Sequence, residues 1–440
     1  MRSNAKHLAF LPTAILLTLV AFCPACQKQD GPQQGVQKRK AETAAQFPKL
    51  LKQLESEKAD DRITALYALG GHLCENKNGK DLATAVPKIA AAIGDRKSDV
   101  VRSSARTVLT QIGEPASEHL TSQLESLDDV QYAIGAEAIK AIGPAAGKKW
   151  FPLLKKNLAS YTNDDTKLKR LLWTLEALTG IGKEASPLVD EVFELINHKN
   201  MKIQVLVLKI VNNNGEVSKK HGPRIAKLVD TGTPSVRSWA LQALGAIGKH
   251  DDYDALQLLT GKLDAFLLIE KQRALEGLAL MGEDATPSLE KIESLISDNS
   301  KSAMCSAAYA HWKITGDKTK AISKLKKLLD SRSFADESIQ TLGRMGQSAS
   351  SLVPILKLHL DSPEPVRREN ALFALGDIGA AAKPTIERLE KLATDDKDAG
   401  IRGLARIQIQ KITAANGDAD SEHRDGQKSS SEENSSPPRS

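Results

Sequence analysis

Apolar residues recur along most of the chain with the spacing of amphipathic helices, in pairs of helices separated by short polar turns. The clearest pair lies in residues 361–392. Its first helix carries an apolar stripe with steps of three and four residues, formed mainly by Val366, Ala371, Ala374, Leu375 and Ile378. Gly379 suits the end of that helix, because glycine adopts the left-handed conformation common there. Pro384 suits the start of the second helix, where its missing N–H costs nothing.

This pair of helices repeats along the chain. A glycine aligned with Gly379 recurs every 30 to 39 residues, at Gly113, Gly143, Gly182, Gly215, Gly248, Gly282, Gly316 and Gly346. Eight residues earlier most units carry an alanine, which indicates close packing between helices: Ala65, Ala105, Ala240, Ala274, Ala308, Ala371 and Ala405. We count eleven units, with Leu73 and Thr413 at the glycine position of the first and last. One pair cannot bury its apolar faces alone, so the pattern predicts a continuous stack.

Two charged positions also recur at fixed distances from the glycine. Eleven residues before it lies a base, in most units Arg62, Arg102, Arg237, Lys271, Arg368 or Arg402. Eighteen residues before it lies an acid, namely Asp95, Asp164, Asp230, Asp264, Asp298, Asp361 and Asp395. An aspartate in a turn can accept backbone N–H bonds, and the arginine can pair with a neighbouring acid. We interpret both positions as a structural ladder. Recognition of a partner through the same residues is the alternative.

The order D-x(2–4)-V-R-x(2)-A-x(2)-A-L-G-x-I-G, most complete in residues 361–379 and next in 230–248, resembles HEAT repeats. It is most similar to the bacterial HEAT-like subgroup first named for phycobilin lyases. The resemblance implies an all-α fold, a right-handed α-α superhelical solenoid of HEAT-like, armadillo-like hairpins. Leu171, Gln204 and Ala335 replace the basic residue in three units. At about 9 Å per unit, the stack would form an open arc on the order of 100 Å long, with the second helices on its concave side.

The two ends of the chain differ from the repeats. Residues 1–25 resemble a secretory signal peptide, because Arg2 and Lys6 precede an apolar run that is too short for a membrane span. Cys26 then resembles the lipid-modified first residue of a bacterial lipoprotein, followed by a flexible tether over residues 26–44. A secreted form without lipid and an uncleaved anchor are the alternatives. Residues 45–413 form the predicted solenoid, beginning with a cap helix near residues 47–54. Residues 414–440 have almost no apolar side chains, which predicts disorder.

These features indicate an exported protein. We expect it in the bacterial cell envelope, lipid-anchored through Cys26 in the outer membrane and facing the periplasm, because Gln27 resembles the outer-membrane sorting pattern. Otherwise it is periplasmic or secreted. A net charge of +6 on 440 residues and an aromatic content of 4% argue against nucleic acid as a partner.

The sequence contains no recognisable catalytic motif. None of the nine histidines belongs to a His-Glu dipeptide or an H-x-x-x-H pair, so we predict no metal and no cofactor and expect these histidines at the surface. Deoxyhypusine hydroxylase, a relative of this architecture, holds its iron on His-Glu dipeptides, which are absent here. Nucleophile-elbow, phosphate-binding and dinucleotide-binding motifs are also absent. Cys74 and Cys305 are predicted as small core residues, too far apart to meet.

Basic second helices are the feature most suggestive of binding. We predict contact with a partner through Lys148, Lys149, Lys155, Lys156, Lys219, Lys220, Arg224, Lys227, Lys324, Lys326 and Lys327. Trp173 and Trp239, nine residues before the glycine at a predicted rim position, are added as aromatic contacts. A solvated basic face is the alternative. The resulting hypothesis is a non-enzymatic protein-binding scaffold with an unidentified, acidic protein partner. The alternative is a HEAT-like enzyme related to deoxyhypusine hydroxylase or phycobilin lyases.

Overall fold

The computed structural model describes residues 46–75, 79–162, 164–297 and 303–414. Helices α1 to α23, numbered along the chain, and short 3-10 turns account for the regular structure in these ranges, which contain no strand. The all-α class is therefore confirmed. No helix within the same ranges combines the length and the apolar composition that a bilayer span requires. The predicted signal peptide, Cys26, the whole predicted tether and all of the predicted tail except residue 414 lie outside the described residues.

Eleven first helices, one per predicted unit, follow each other through the described residues. Most run for about 14 residues and present their Ala/Leu/Ile face to the neighbouring helices. They are α2 (Ala59–Glu75), α4 (Asp99–Ile112), α7 (Asp129–Ile142), α9 (Leu168–Gly180), α11 (Met201–Asn213), α13 (Pro234–Ile247), α15 (Leu268–Met281), α17 (Met304–Thr315), α19 (Ala335–Met345), α21 (Pro365–Ile378) and α23 (Ala399–Ala414).

The second helices are shorter, and most of them begin with a 3-10 turn that contains proline or small residues. Pro384, for example, lies within the 3-10 turn Gly379–Thr385 and not at the first position of the helix that follows. The second helices are α1 (residues 46–53), α3 (Gly79–Ala91), the pair α5 (Glu114–Ser117) and α6 (Thr121–Leu124), α8 (Gly147–Tyr161), α10 (Val189–Phe193), α12 (Gly222–Thr231), α14 (Ala255–Gly261), α16 (Leu289–Ser297), α18 (Thr319–Leu328), α20 (Val353–His359) and α22 (Ile386–Asp395).

The recurring glycine ends the first helix as predicted. At eight of the nine aligned glycines φ is positive, between 55° and 77°, a region that glycine adopts without strain. Gly215 is the exception, with a φ of −47°. A Cβ atom there would lie 2.0 Å from the carbonyl oxygen of Ala246 in the next unit. Close approach between backbones, not dihedral freedom, therefore explains this glycine.

The recurring alanine lies where neighbouring first helices meet. All seven of these alanines are fully buried, because each first helix packs on the first helices before and after it. A larger side chain would push the helices apart, so the predicted close packing is confirmed.

The last unit packs against the first. Helix α23 lies on α2, and Gln111 of α4 donates a side-chain hydrogen bond to Gln410 of α23. The ring of Tyr67 on α2 lies so close to Gly403 on α23 that a Cβ atom there would be 1.8 Å from Cδ2 of the ring. The eleven units therefore close into a ring, and the open arc predicted from the sequence is wrong. We call the contact between α2 and α23 the seam.

The first helices form the inner layer of this ring. Arg344 of α19 lies 3.6 Å from Glu276 of α15, although α17 stands between these two helices. Side chains of α4 and α21 likewise border one cavity across α2 and α23. A side chain can reach past an intervening helix only on the concave side of a stack. The second helices are therefore on the outer side, and the expectation that they line the concave surface is wrong.

Candidate interaction surface

The inner face of the ring carries polar side chains that connect one first helix to the next. Between α4 and α11, Arg106 lies 3.3 Å from Glu137, Lys140 lies 3.0 Å from Glu176, and Lys202 lies 2.6 Å from the same Glu176. These ion pairs hold the side chains in one arrangement. The inner face is therefore an organised polar surface over these four units.

The two carboxylates of this group differ in their affinity for a proton. Burial raises the pKa of Glu137, and the nearby Glu176 carboxylate adds to this effect. Burial also acts to raise the pKa of Glu176, but hydrogen bonds from Lys202 and Lys140 outweigh it and lower that pKa to about 2. Glu176 therefore stays ionised and forms an ion pair with each of the two lysines.

An aromatic ring between two cations occupies the centre of the inner face. The ammonium nitrogen of Lys209 lies 4.8 Å from a ring centroid of Trp239 on α13. The guanidinium carbon of Arg273 lies 3.9 Å from a ring centroid of the same tryptophan. Arg273 is also held by Gln242 at 2.7 Å and by Glu276 at 2.6 Å. Burial lowers the pKa of Lys209, and Lys140 adds to this effect. This cluster gives the inner face a cationic, aromatic region.

The connected side chains continue from this cluster to the seam. Arg344 lies over the ring of Tyr309 at 4.1 Å. Further along, Gln340 donates to Asn370 at 3.1 Å, and Lys411 of α23 lies 2.5 Å from Asp377 of α21. Side chains that already hold each other lose little conformational freedom when another molecule binds them. The inner face therefore presents side chains whose positions are already fixed by contacts with one another.

The two predicted tryptophans lie on first helices, half-buried, and not at the rim. Trp239 is the centre of the cluster described above. Trp173 has its ring centroid 6.3 Å from that of the buried Tyr132. The shared position of the two residues is therefore an inner-layer position, and the rim placement is wrong. Their role in binding a partner remains a prediction.

The predicted basic residues lie on the outer layer, and several of them pair with carboxylates of a neighbouring unit. Lys220 lies 2.6 Å from Asp190, while Lys155 and Arg224 are each 3.9 Å from Glu191 and Glu194 respectively. Exposed positions are taken by Lys149, Lys156, Lys219, Lys227, Lys326 and Lys327, whereas Lys324 is half-buried. Lys148 belongs to α8, and its side chain lies outside the described residues. The structure therefore distributes these cations over several units of the convex side.

The ladder arginines have a common partner that the sequence did not indicate. Each donates to a backbone carbonyl in the turn before its own helix: Ser56 for Arg62 (2.7 Å), Asp95 for Arg102 (2.6 Å), Gly232 for Arg237 (3.1 Å), Ser362 for Arg368 (2.9 Å) and Asp396 for Arg402 (2.7 Å). Gln204 donates to the carbonyl of His198 in the same way, at 3.0 Å. These bonds satisfy carbonyls at the end of the preceding second helix.

The ladder aspartates have varied partners. Asp95 pairs with Arg62 at 3.0 Å, whereas Asp230, Asp264 and Asp361 pair with Lys262, Lys291 and Arg388 of the following second helix. Asp164 accepts the backbone N–H of Thr166 at 2.9 Å. Asp395 is exposed, and its neighbour Asp396 makes the 2.8 Å pair with Arg368. Arg237 pairs with Glu270 at 2.6 Å. Asp298 lies outside the described residues.

Three histidines that were expected at the surface are buried beside a carboxylate. His72, His221 and His311 lie 3.0, 2.9 and 3.1 Å from Asp81, Asp190 and Glu293. The surface expectation is wrong for these three, because each ring is buried against a neighbouring helix while one nitrogen reaches a carboxylate. Across the described ranges, no three histidine, cysteine or acidic residues come together as a metal site.

Cys305 is buried, as predicted, and burial raises the pKa of its thiol. Cys74 is only half-buried, and its Sγ lies 3.5 Å from the carbonyl oxygen of Gln111. Neither forms a disulfide bond within the described residues. Neither therefore has the exposed, cation-flanked environment of a reactive cysteine.

Comparison with known proteins yields structural similarity alone. No protein-family model and no curated protein matches the chain. The chain is similar to the complex of CpcE and CpcF of phycocyanin lyase from Nostoc sp. PCC7120, with 20% identity and a TM-score of 0.36 over 56% of this chain and 93% of that one. It is also similar to a structure concerned with a conserved phosphorylation switch in the interaction between cadherin and beta-catenin, with 12% identity and a TM-score of 0.32 over 84% and 91%. At these values neither similarity assigns a family or an activity.

Sequence reasoning missed most of the inner face, although a signal for it exists. Seven units carry a polar residue at the position six residues before the glycine: Thr107, Glu137, Glu176, Lys209, Gln242, Glu276 and Gln340. This position faces the centre of the ring. A polar residue recurring beside a buried stripe was therefore the available sign of a solvent-facing inner layer.

Proposed function

We propose that this protein is a non-enzymatic binding scaffold whose inner face holds a partner protein. The observation that supports it is the chain of connected polar and aromatic side chains on successive first helices. Trp239, Arg273, Tyr309 and Arg344 meet within it, and these residue types dominate the binding energy of protein interfaces. The ring provides the shape, and the connected side chains provide fixed contacts.

The charges of the central cluster favour an acidic partner segment. Lys209, Arg273 and Arg344 converge there, and Glu276 is the carboxylate that contacts the two arginines. A partner carboxylate would find donors that are already oriented and partly removed from water, which strengthens the interaction. We therefore propose an acidic protein segment as the ligand of the inner face.

We further propose that the chain is exported and attached to the envelope membrane through a lipid on Cys26. Its support is the sequence of residues 1–44 alone. Mass spectrometry of the purified N-terminus tests it. A diacyl or triacyl group on Cys26 supports the anchor, whereas a free N-terminus after cleavage or an intact leader contradicts it.

Capture of a partner from envelope extract tests the inner face. The double variant Lys209→Ser/Arg344→Ser is expected to lose at least tenfold in captured partner, because two charge-assisted contacts are removed. The matched control is Lys326→Ser/Lys327→Ser, which removes the same charge from exposed positions of the outer layer. The control is expected to capture as much partner as the unaltered chain, measured by quantitative mass spectrometry.

Two outcomes would contradict this proposal. If Lys326→Ser/Lys327→Ser lost the captured partner and Lys209→Ser/Arg344→Ser did not, the partner would bind the basic second helices and not the inner face. Absence of any specific partner, together with a co-purifying chromophore or turnover of a small molecule, would favour the enzyme alternative.

A further inference from the structure

A cavity of about 330 Å³ opens on the inner face at the seam. Its floor is formed by α2 and α23, and its walls by α4 and α21. Helix α23 leaves room for the cavity because it carries glycines, Gly400 and Gly403, at two successive inner positions. At the equivalent positions α21 carries the larger Val366 and Glu369. The ring of Tyr67 fills part of the space over Gly403. The cavity is therefore a product of ring closure and of these two glycines.

Exposed apolar side chains converge on this cavity from distant parts of the chain. Val100 of α4 is 41% exposed, Val366 of α21 is 61% exposed, and Phe373 of α21 is 40% exposed. All three border the cavity, together with Ile401 and Leu404 of α23. Large apolar residues that remain exposed and gather around one concavity mark a binding site more often than chance exposure.

One carboxylate in this apolar cavity lacks a cation. Glu369 of α21 lines it, and no lysine, arginine or histidine of the described residues lies within ion-pair distance of its carboxylate. Burial raises the pKa of Glu369, and the charge of Asp398 adds to this effect. Asp398 itself is engaged, since it accepts the backbone N–H groups of Gly400 at 2.7 Å and Ile401 at 3.2 Å. The cavity therefore offers an unpaired negative group next to apolar walls.

We propose that this seam cavity binds a small amphipathic amine, a compact apolar body that carries one cationic nitrogen. The nitrogen pairs with the carboxylate of Glu369, and the apolar body packs against Val100, Val366 and Phe373. An anionic ligand is disfavoured, because Glu369 and Asp398 both repel it. A second cavity, of about 870 Å³, shares Thr107 and Phe373 with the first and leads towards Gln410, so a longer apolar body has room to extend. This site is separate from the central cluster and does not depend on a protein partner.

Two fluorescent probes with the same ring system test the proposal on the full chain. Dansylcadaverine carries a primary ammonium, and N-butyl dansylamide lacks it. We expect dansylcadaverine to bind more tightly, and Glu369→Gln to weaken its binding about tenfold while leaving the neutral probe unchanged. Glu390→Gln, an exposed glutamate on the outer helix α22, is the matched control and is expected to change neither affinity.

Filling the cavity provides the second readout. Ser103 is exposed on α4 and lines the cavity, so Ser103→Phe is expected to weaken the binding of both probes at least tenfold. If that variant does not fold, Val366→Ser removes an exposed apolar wall without adding volume and is expected to weaken both probes severalfold. Equal affinity for the two probes with no effect of Glu369→Gln, or binding unaffected by the cavity variants, overturns the proposal. Tighter binding of the anionic probe ANS at this cavity would overturn it as well.

Discussion

Replacing Gly403 with alanine is expected to lower the free energy of unfolding by about 2–3 kcal/mol, although alanine is the better helix former. Gly403 lies inside α23, where a Cβ atom would be 1.8 to 2.3 Å from three ring atoms of Tyr67. Tyr67 is only 8% exposed and cannot move aside without opening the seam. The midpoint of urea unfolding, followed by circular dichroism, measures the change.

Two controls separate the seam from a general effect of glycine replacement. Gly71 lies on α2 in the same seam, but the nearest atom to a Cβ there is Nε2 of Gln410 at 3.8 Å. Gly71→Ala is therefore expected to be neutral or stabilising by up to about 1 kcal/mol. In a Tyr67→Ala background, Gly403→Ala is expected to cost almost nothing, because its clash is absent. A similar cost in both backgrounds would contradict the packing of Tyr67 on Gly403.

Replacing Asp396 with alanine is expected to destabilise the protein by about 3 kcal/mol, because it leaves the Arg368 guanidinium without its carboxylate. The two side chains are 5% and 11% exposed and lie 2.8 Å apart. Arg368 keeps its hydrogen bonds to the carbonyls of Ser362 and Pro363, which hold its charge in place. Thermal and urea unfolding of the variant provide the measurement.

The adjacent residue supplies the matched control for this prediction. Asp395 is the aspartate at the recurring position eighteen residues before the glycine position, and it is exposed in the structure. Asp395→Ala is expected to change the free energy of unfolding by no more than about 0.5 kcal/mol. If Asp395→Ala proved the more damaging substitution, the sequence register would be right, and the pairing of Arg368 with Asp396 would be wrong.

The repeat itself could be predicted from the sequence because each unit contains the residues that form and end its own helices. The stripe of Ala371, Leu375 and Ile378 specifies a helix face, and Gly379 specifies where that helix ends. Such signals act over a few residues and depend little on the rest of the chain. The number of units and the burial of the alanines therefore followed from the sequence.

Closure of the ring could not be predicted in the same way. A complete turn of eleven units requires a rotation of about 33° per unit, and this rotation depends on how side chains interdigitate between neighbouring helices. Small differences in that angle, summed over eleven units, separate an open arc from a ring. The contact of Tyr67 with Gly403 joins residues from opposite ends of the solenoid, and no local sequence pattern predicts it.

The concave side was assigned to the wrong layer for the same reason. Runs of lysine on second helices are visible in the sequence, whereas the cluster of Lys209, Trp239 and Arg273 comes from three different units. Choosing between the two surfaces required knowledge of which layer is concave. The sequence does contain the polar position six residues before the glycine, but its meaning depends on the direction of curvature.

The distance between two spin labels tests the closed ring most directly. Lys97 precedes α4 and Glu364 precedes α21, and both side chains are exposed. Ketoxime-linked nitroxides on p-acetylphenylalanine at these two positions leave the four cysteines in place. With helices spaced about 9 Å apart, closure through the seam predicts a separation of about 30 Å or less in double electron–electron resonance. A distance near 70 Å, as expected for an open arc in which eight unit-to-unit steps separate the labels, would contradict the ring.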